Sequence, residues 1–358
     1  MSRKLNLFFI AAIIFRTVSA QDTTKGFFKY SSIGLQYYAG TSIGITYNRI
    51  RDSRPFTGEI YYQRQMNPTQ TWNDTKRLPQ WGVGLSATHS GSKYVGTIVC
   101  LYPFVKLPLI TTRVLQSNFR IGFGAGWIQK PYDKVTNPED LLLGQKVSTH
   151  ANIQWQNEFR LNSNHFINTA VTFYHVSNAK TSLPNLGINI PSLSIGYRYA
   201  FNGETKSPVS PQDKFDGKKT FYKVFLTAGV KQMQVPDSSY YFVKVLTGEL
   251  SKQVSYSSIL SIGMFITHDA SVKTDTLVKH LGPIKTSQVA LYGSYEYNLG
   301  RLIIPVQFGI FLYNSNSTLL ESIGVRYKFS DRWMGQLLLK SHGHKADLMH
   351  VGIGYLIR

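Results

Sequence analysis

The sequence predicts an all-β chain, an antiparallel β-barrel of the outer-membrane kind, and three observations carry that prediction. Apolar and polar residues alternate with period two along most of its length. After residue 20, no apolar stretch is long enough to cross a bilayer as a helix. Residues 1–20 have the layout of an export signal.

The alternation is clearest in 192–201, where Leu193, Ile195, Tyr197 and Tyr199 share one face and Ser194, Gly196 and Arg198 the other. It returns at the C-terminal end, with Val351, Ile353, Tyr355 and Ile357 opposite Gly352, Gly354 and Arg358. Apolar-out, small-or-polar-in strands that end in tyrosine fit a barrel with an aromatic girdle. Similar segments lie near 32–38, 43–50, 57–64, 81–88, 94–102, 117–127, 148–160 and 167–177. A second series lies near 221–232, 254–267, 287–298, 302–313, 318–329 and 332–341. A soluble sandwich would alternate too, but the export signal and the number of strands favour the membrane. There, a closed barrel is the common alternative to helices, because every backbone polar group must find a partner.

The export reading rests on Arg3 and Lys4, an apolar run from Leu5 to Phe15, and the small residues Ser19 and Ala20 ahead of Gln21. Arg16 cuts the run short of a spanning helix. No cysteine follows the expected cleavage point, which excludes lipid anchoring there. Cys100 is the only cysteine, so an intramolecular disulfide is excluded, and its setting in 98–104 reads as packing.

The formal charge is +20, from 39 basic and 19 acidic residues. Residues 1–20 hold three of the basic ones, so the rest keeps 36 against 19, or +17. Such an excess calls for anionic surroundings. Nucleic acid is not expected, because no helix-turn-helix, zinc or stacking motif is present. The phosphorylated lipid of the outer leaflet is the nearer partner, with solvated loop lysines as the simpler account. The sequence carries no signal for an oligomeric state.

A stretch at 202–219 rich in Lys, Ser, Pro, Asp and Gly reads as a linker or long loop, with its core at 204–219. It divides the chain into 21–203 and 220–358. Residues 81–89 resemble 261–268, and 175–179 resemble 342–346. Each of the latter precedes a strand with a terminal Gly-Tyr, at Gly196-Tyr197 and Gly354-Tyr355. The second half therefore reads as a degenerate repeat, making either two tandem small barrels or one enlarged barrel.

The segment 173–189 carries the chemistry. As a hairpin strand it places Val171, Phe173, His175 and Ser177 on one face, the lipid side by its apolar members. On the return strand Asn189 shares a face with Leu193, Ile195, Tyr197 and Tyr199. A hydroxyl, an imidazole and an amide thus meet on the outer wall, where polar groups are costly unless paired or used. One reading is a serine nucleophile activated by a histidine base, with a third group fixing the ring's tautomer. The other is an idle, hydrated pair in the interfacial zone.

His175, Ser177, Asn178 and Ala179, followed by Pro184, Asn185, Gly187 and Asn189, resemble the signature of the outer-membrane lipid A 3-O-deacylases, which are acyloxyacyl hydrolase-like. The likeness extends over about residues 30–201. It includes Trp81-Gly82-Val83-Gly84, the glycines of 121–126, Lys130-Pro131-Tyr132-Asp133 and Asn137-Pro138. The resemblance implies an eight-stranded barrel with its active site on the lipid-facing side. It also implies Ser177 as nucleophile, His175 as general base, and Asn178 and Asn185 as residues that organise the site and help hold the oxyanion. Lipid A or lipopolysaccharide would be the substrate, amid outer-membrane lipids, with no metal or organic cofactor needed.

There is one departure. The family pattern has a glutamate as third triad member, and Asn189 stands at that position here. An amide can accept the ring N–H and orient the histidine, but it supplies no charge to steady an imidazolium. Glu158 cannot substitute, because its alternation with Gln154 and Gln156 turns it to the lumen. In the second half, the repeat puts His344 where Ser177 stands. His342 and His344 at strand spacing could bind a metal, but no Asp, Glu or Cys completes a ligand set, although Asp347 is near. The expectation is a serine carboxylic ester hydrolase acting on lipid A or a related lipid. A non-catalytic porin, structural or adhesive barrel on the same scaffold is the rival, and a soluble exported β-sandwich a third reading.

Overall fold

In the computed structural model, the residues described are 30–43, 53–66, 78–203, 219–233, 239–255, 257–273, 284–313, 318–342 and 345–357. The export segment 1–20 and the linker 204–218 lie outside them. Two closed antiparallel barrels of eight strands each account for the alternation. The first comprises β1 (Ser31–Gly40), β2 (Phe56–Gln65), β3 (Gln80–His89), β4 (Thr97–Thr111), β5 (Leu115–Ile128), β6 (Val147–Arg160), β7 (His165–Ser177) and β8 (Ile188–Ala200). The second comprises β9 (Thr220–Gln232), β10 (Tyr240–Gln253), β11 (Ser258–His268), β12 (Ser287–Leu299), β13 (Leu302–Tyr313), β14 (Leu319–Lys328), β15 (Trp333–His342) and β16 (Lys345–Ile357). Consecutive strands pair, and β1 closes on β8 as β16 closes on β9, so neither sheet keeps a free edge. The choice between one barrel and two is thereby decided for two.

Two expected elements change, a third lies mostly outside the described residues, and one strand was not expected. Of the strand expected at 43–50, Ile43 forms only an isolated bridge to Asn189, and the rest lies outside the described residues. The strand expected at 94–102 begins at Thr97, because Gly96 makes a turn with φ 71°. β10 was not legible. Val243 and Val245 point inward while Phe242 and Leu246 point outward, and Lys244 and Gly248 interrupt the outer face. With apolar residues on both faces, its period-two contrast disappears. The segment expected at 254–267 starts instead at Ser258, whose carbonyl accepts from Val254 N–H at 3.0 Å.

The outward faces make an apolar belt, as at Leu35, Ile60, Leu85, Leu101 and Leu193. The inward faces carry charge. In the first barrel Arg120 pairs with Glu59, and Glu158 pairs with Arg198 and Lys106 at 2.9 Å each. In the second, Arg326 reaches Glu249 and Glu296 at 2.6 Å, and Lys223 bonds the same two carboxylates. Burying an ion costs several kcal/mol, so each lumen charge is matched by an opposite one. Both barrels share a constellation: a glutamate (Glu59, Glu249), a tyrosine (Tyr102, Tyr292) and a glycine between them (Gly84, Gly263) that leaves room for both side chains. They occupy the second, fourth and third strands of their barrels.

The barrels touch at both ends. At one end, Leu78 and Val105 of the first cluster with Leu299 and Ile304 of the second. At the other, the β7–β8 loop meets the end of β9.

Candidate active site

The β7–β8 hairpin sets the site. Backbone pairing places His175 directly opposite Asn189 and Val176 opposite Ile188. His175 lies on the same strand face as Val171 and Phe173, which are 56% and 39% exposed, so its ring is on the outer side of the wall. His175 Nδ1 lies 2.6 Å from Asn189 Oδ1, and His175 Nε2 lies 2.8 Å from Ser177 Oγ. An amide oxygen only accepts, so Nδ1 carries the proton and Nε2 presents a lone pair to the serine hydroxyl. That is the tautomer a general base needs. Ser177 is only 3% exposed, and Gly187 of the loop that follows it packs beside it.

Residues 178–187 form that loop, and it is bonded throughout. Thr181 N–H donates to Asn178 O at 3.1 Å, closing a turn whose central residues Ala179 and Lys180 both have positive φ, 52° and 65°. Such backbone costs energy outside glycine and persists where neighbours over-determine it. Asn178 N–H donates to Asn185 Oδ1 at 2.9 Å, and Asn178 Nδ2 donates to Ser182 O at 2.6 Å. Both amides therefore organise the loop. Asn178 has spent its main-chain donor, whereas Asn185 has used only its carbonyl and keeps Nδ2 as a donor.

Supporting residues surround the hairpin, and of these Thr149, Tyr94, Leu141, Leu142 and Gly144 gave no sequence signal, whereas Asp133, Asn137 and Gly187 belong to the resemblance. Thr149 on β6 donates to Ser177 O at 2.6 Å. The β5–β6 loop backs the hairpin, with Leu186 and Gly187 N–H donating to Leu141 O and Leu142 O at 3.3 and 3.0 Å. That loop is itself tied to the β3–β4 loop, because Asn137 Nδ2 donates to Tyr94 O at 2.8 Å. Its turn is closed by Asp133 Oδ1, which accepts from Val135 and Thr136 N–H. Gly144 lets the two loops approach, since a Cβ there would sit 2.6 Å from Leu183 O. These are close approaches between segments distant in sequence, which no local pattern announces.

Gly187 is the glycine closest to the chemistry. Its φ is 71°, and a Cβ would stand 3.3 Å from both His175 Cε1 and Ser177 Cβ. The strain of an alanine there is about 1 kcal/mol. Gly187→Ala is expected to leave both barrels folded and to lower kcat roughly tenfold by displacing the imidazole. Kinetics on lipid substrate beside thermal melting check this, and a fully active variant would refute it.

Asp140 adds a pH dependence to the supporting loop. Its carboxyl is buried, accepts from Leu142 N–H at 2.9 Å, and leaves Oδ2 without a partner. Desolvation raises its pKa to about 6, with the Leu142 and Leu143 amides opposing. The folded loop thus favours the protonated acid. That stability is complete below the ordinary carboxyl value and is lost as pH rises through about 6. Amide protection of 141–143 is expected to rise between pH 7 and pH 5, and to be flat in Asp140→Asn. Equal slopes in the two proteins would refute it.

Of the second-half histidines, His350 is buried and its Nδ1 lies 2.7 Å from Thr227 Oγ1. His344 and the side chain of His342 lie outside the described residues. Asp347 is occupied by lysines: Lys340 at 2.8 Å, Lys231 at 3.2 Å and Lys180 at 3.6 Å.

Solved structures similar to this chain include Neisserial surface protein A, at 8% identity and a TM-score of 0.34, covering 48% of this chain and 97% of that one. The KdgM porin matches at 8% identity and a TM-score of 0.20, covering 90% and 98%. The Salmonella typhi outer membrane phospholipase matches at 10% and 0.20, covering 91% and 90%. No curated protein matches the sequence. Two family models do match. Residues 56–198 match "Lipid A 3-O-deacylase (PagL)", and residues 220–358 match "Acyloxyacyl hydrolase, C-terminal domain". With one match on each barrel, the chain belongs to the lipid A 3-O-deacylase family, as an outer-membrane β-barrel of a kind that removes acyl chains.

Proposed function

We propose that this protein is a serine esterase that cleaves an ester-linked acyl chain from lipid A or a related lipid, on the lipid-facing side of its first barrel. The observation that carries the proposal is the relay Asn189–His175–Ser177, with both contacts at hydrogen-bond distance on an outward strand face. In the proposed reaction, Ser177 Oγ bonds to the ester carbonyl carbon as its proton passes to His175 Nε2. Asn185 Nδ2 meets the oxyanion. Collapse breaks the ester C–O bond, and the proton moves from His175 to the departing lipid oxygen. Water then repeats the sequence on the acyl-serine, releasing the fatty acid and restoring the hydroxyl.

The lipid-side placement suits the substrate, whose ester lies where headgroup meets acyl chains. Exposed Lys93, Lys130, Lys134 and Lys146 on the loops at that end supply cations for its phosphates. Export through residues 1–20 is the proposed route to the outer membrane. The second barrel, on this reading, is a repeat that has lost the nucleophile.

Mass spectrometry of lipid A from cells with and without the protein tests the proposal. Loss of one hydroxyacyl mass is the expected result. An unchanged profile, with the protein folded in the outer membrane, would favour the non-catalytic barrel.

A further inference from the structure

The second barrel also reaches the loop that follows Ser177. At the end of β9, Gln232 makes two hydrogen bonds across the junction. Its main-chain N–H donates to Lys180 O at 2.9 Å, and its Oε1 accepts from Leu183 N–H at 2.7 Å. Gln232 is buried there. Beside it, Lys180 Nζ approaches Asp347 Oδ1 of β16, which Lys231 and Lys340 hold in place. Within the first barrel the same loop is held on its opposite flank, where Gln145 Nε2 reaches Thr181 Oγ1 at 3.3 Å and the Leu141 and Leu142 carbonyls take Leu186 and Gly187. The loop is therefore pinned from both barrels.

We infer that Gln232 is a positioning residue for catalysis, through which the C-terminal barrel holds the 178–187 loop in its active shape. This rests on the esterase reading above. The physical case starts from the backbone. Ala179 and Lys180 are both in the left-handed region, a conformation of order 1–2 kcal/mol unfavourable per residue. The first barrel's hydrogen bonds near this turn go to the Thr181 and Ser182 side chains and to residues beyond Leu183. Gln232 grips the main chain at Lys180 and Leu183, between Asn178 and Asn185. Those two asparagines bond each other and set the wall of the site beside Ser177. Releasing Leu183 frees the span that carries Asn185, and with it the donor for the oxyanion. The second barrel thus has a task even without a nucleophile of its own: it completes the rim of the first.

The full-length protein tests this in two ways. Deacylation kinetics compare wild type, Gln232→Ala and Gln232→Glu, each checked for heat-modifiable gel mobility to establish folded barrels. The carboxylate of Gln232→Glu keeps an acceptor for Leu183 N–H. Gln232→Ala is expected to lose kcat about tenfold with KM within about twofold, and Gln232→Glu to recover most of it. A wild-type kcat in Gln232→Ala, or an equal loss in Gln232→Glu, overturns the inference. Hydrogen exchange over 179–187 reads the clamp without using activity. Protection at Leu183 should fall in Gln232→Ala and return in Gln232→Glu, and protection unchanged in Gln232→Ala overturns the inference. A wild type that does not deacylate sinks the esterase reading alone, and exchange still decides the clamp.

Discussion

Ser177→Ala is expected to reduce deacylation at least about 10³-fold while the protein still reaches the outer membrane and folds. The hydroxyl is 2.8 Å from His175 Nε2, and its loss removes the atom that forms the bond to the acyl carbon. Alanine fits the space and keeps the backbone carbonyl that Thr149 holds. KM should change little, because the loss falls on the chemical step rather than on lipid binding. Ser163→Ala, in the β6–β7 turn at the opposite end of the barrel, serves as the matched control and should retain wild-type rates. Retention of half or more of the activity in Ser177→Ala would remove the serine mechanism.

The second large effect concerns the group behind the histidine. Asn189→Leu deletes the acceptor for Nδ1–H, so the ring can rotate or adopt the tautomer that leaves Nε2 without a lone pair. By analogy with a triad held in the wrong tautomer, kcat should fall by about 10² to 10⁴. Asn189→Glu has the opposite expectation. The pairing His175↔Asn189 puts a glutamate carboxylate within reach of the same N–H, and its charge steadies the imidazolium. Activity should equal or exceed wild type by up to about tenfold. Kinetics on purified protein reconstituted with lipid A decide both, and complete inactivity of Asn189→Glu would contradict the hairpin register. The pair of variants also separates the two jobs of a triad's third member, orientation and charge. In the proposed mechanism Asn189, whose Oδ1 lies 2.6 Å from His175 Nδ1, does the first and cannot do the second.

Much of this was legible before any coordinates. Period-two alternation is local, because side chains in a strand alternate by geometry, so β1, β2, β3, β5, β6, β7 and β8 fell near their expected positions. The same rule brought His175, Ser177 and the outward face of Asn189 together. Where the alternation carried less contrast it misled. β10 has valines inside and phenylalanine and leucine outside, and it read as nothing. Ile43 makes a bridge to Asn189, and the rest of the strand expected at 43–50 lies outside the described residues.

By itself, the sequence determined the outer-membrane β-barrel class and the strand faces on which His175, Ser177 and Asn189 lie, because each depends on neighbours a few positions apart. The tertiary structure alone decided that there are two closed barrels rather than one, since closure is a pairing of strands more than a hundred residues apart, as between β1 and β8. It alone brought Leu142, Thr149 and Gln232 to the hairpin around Ser177, and Tyr94 to the β5–β6 loop behind it. Each of those contacts has a backbone amide or carbonyl on at least one side, a group every residue carries and which therefore leaves no mark in composition or spacing.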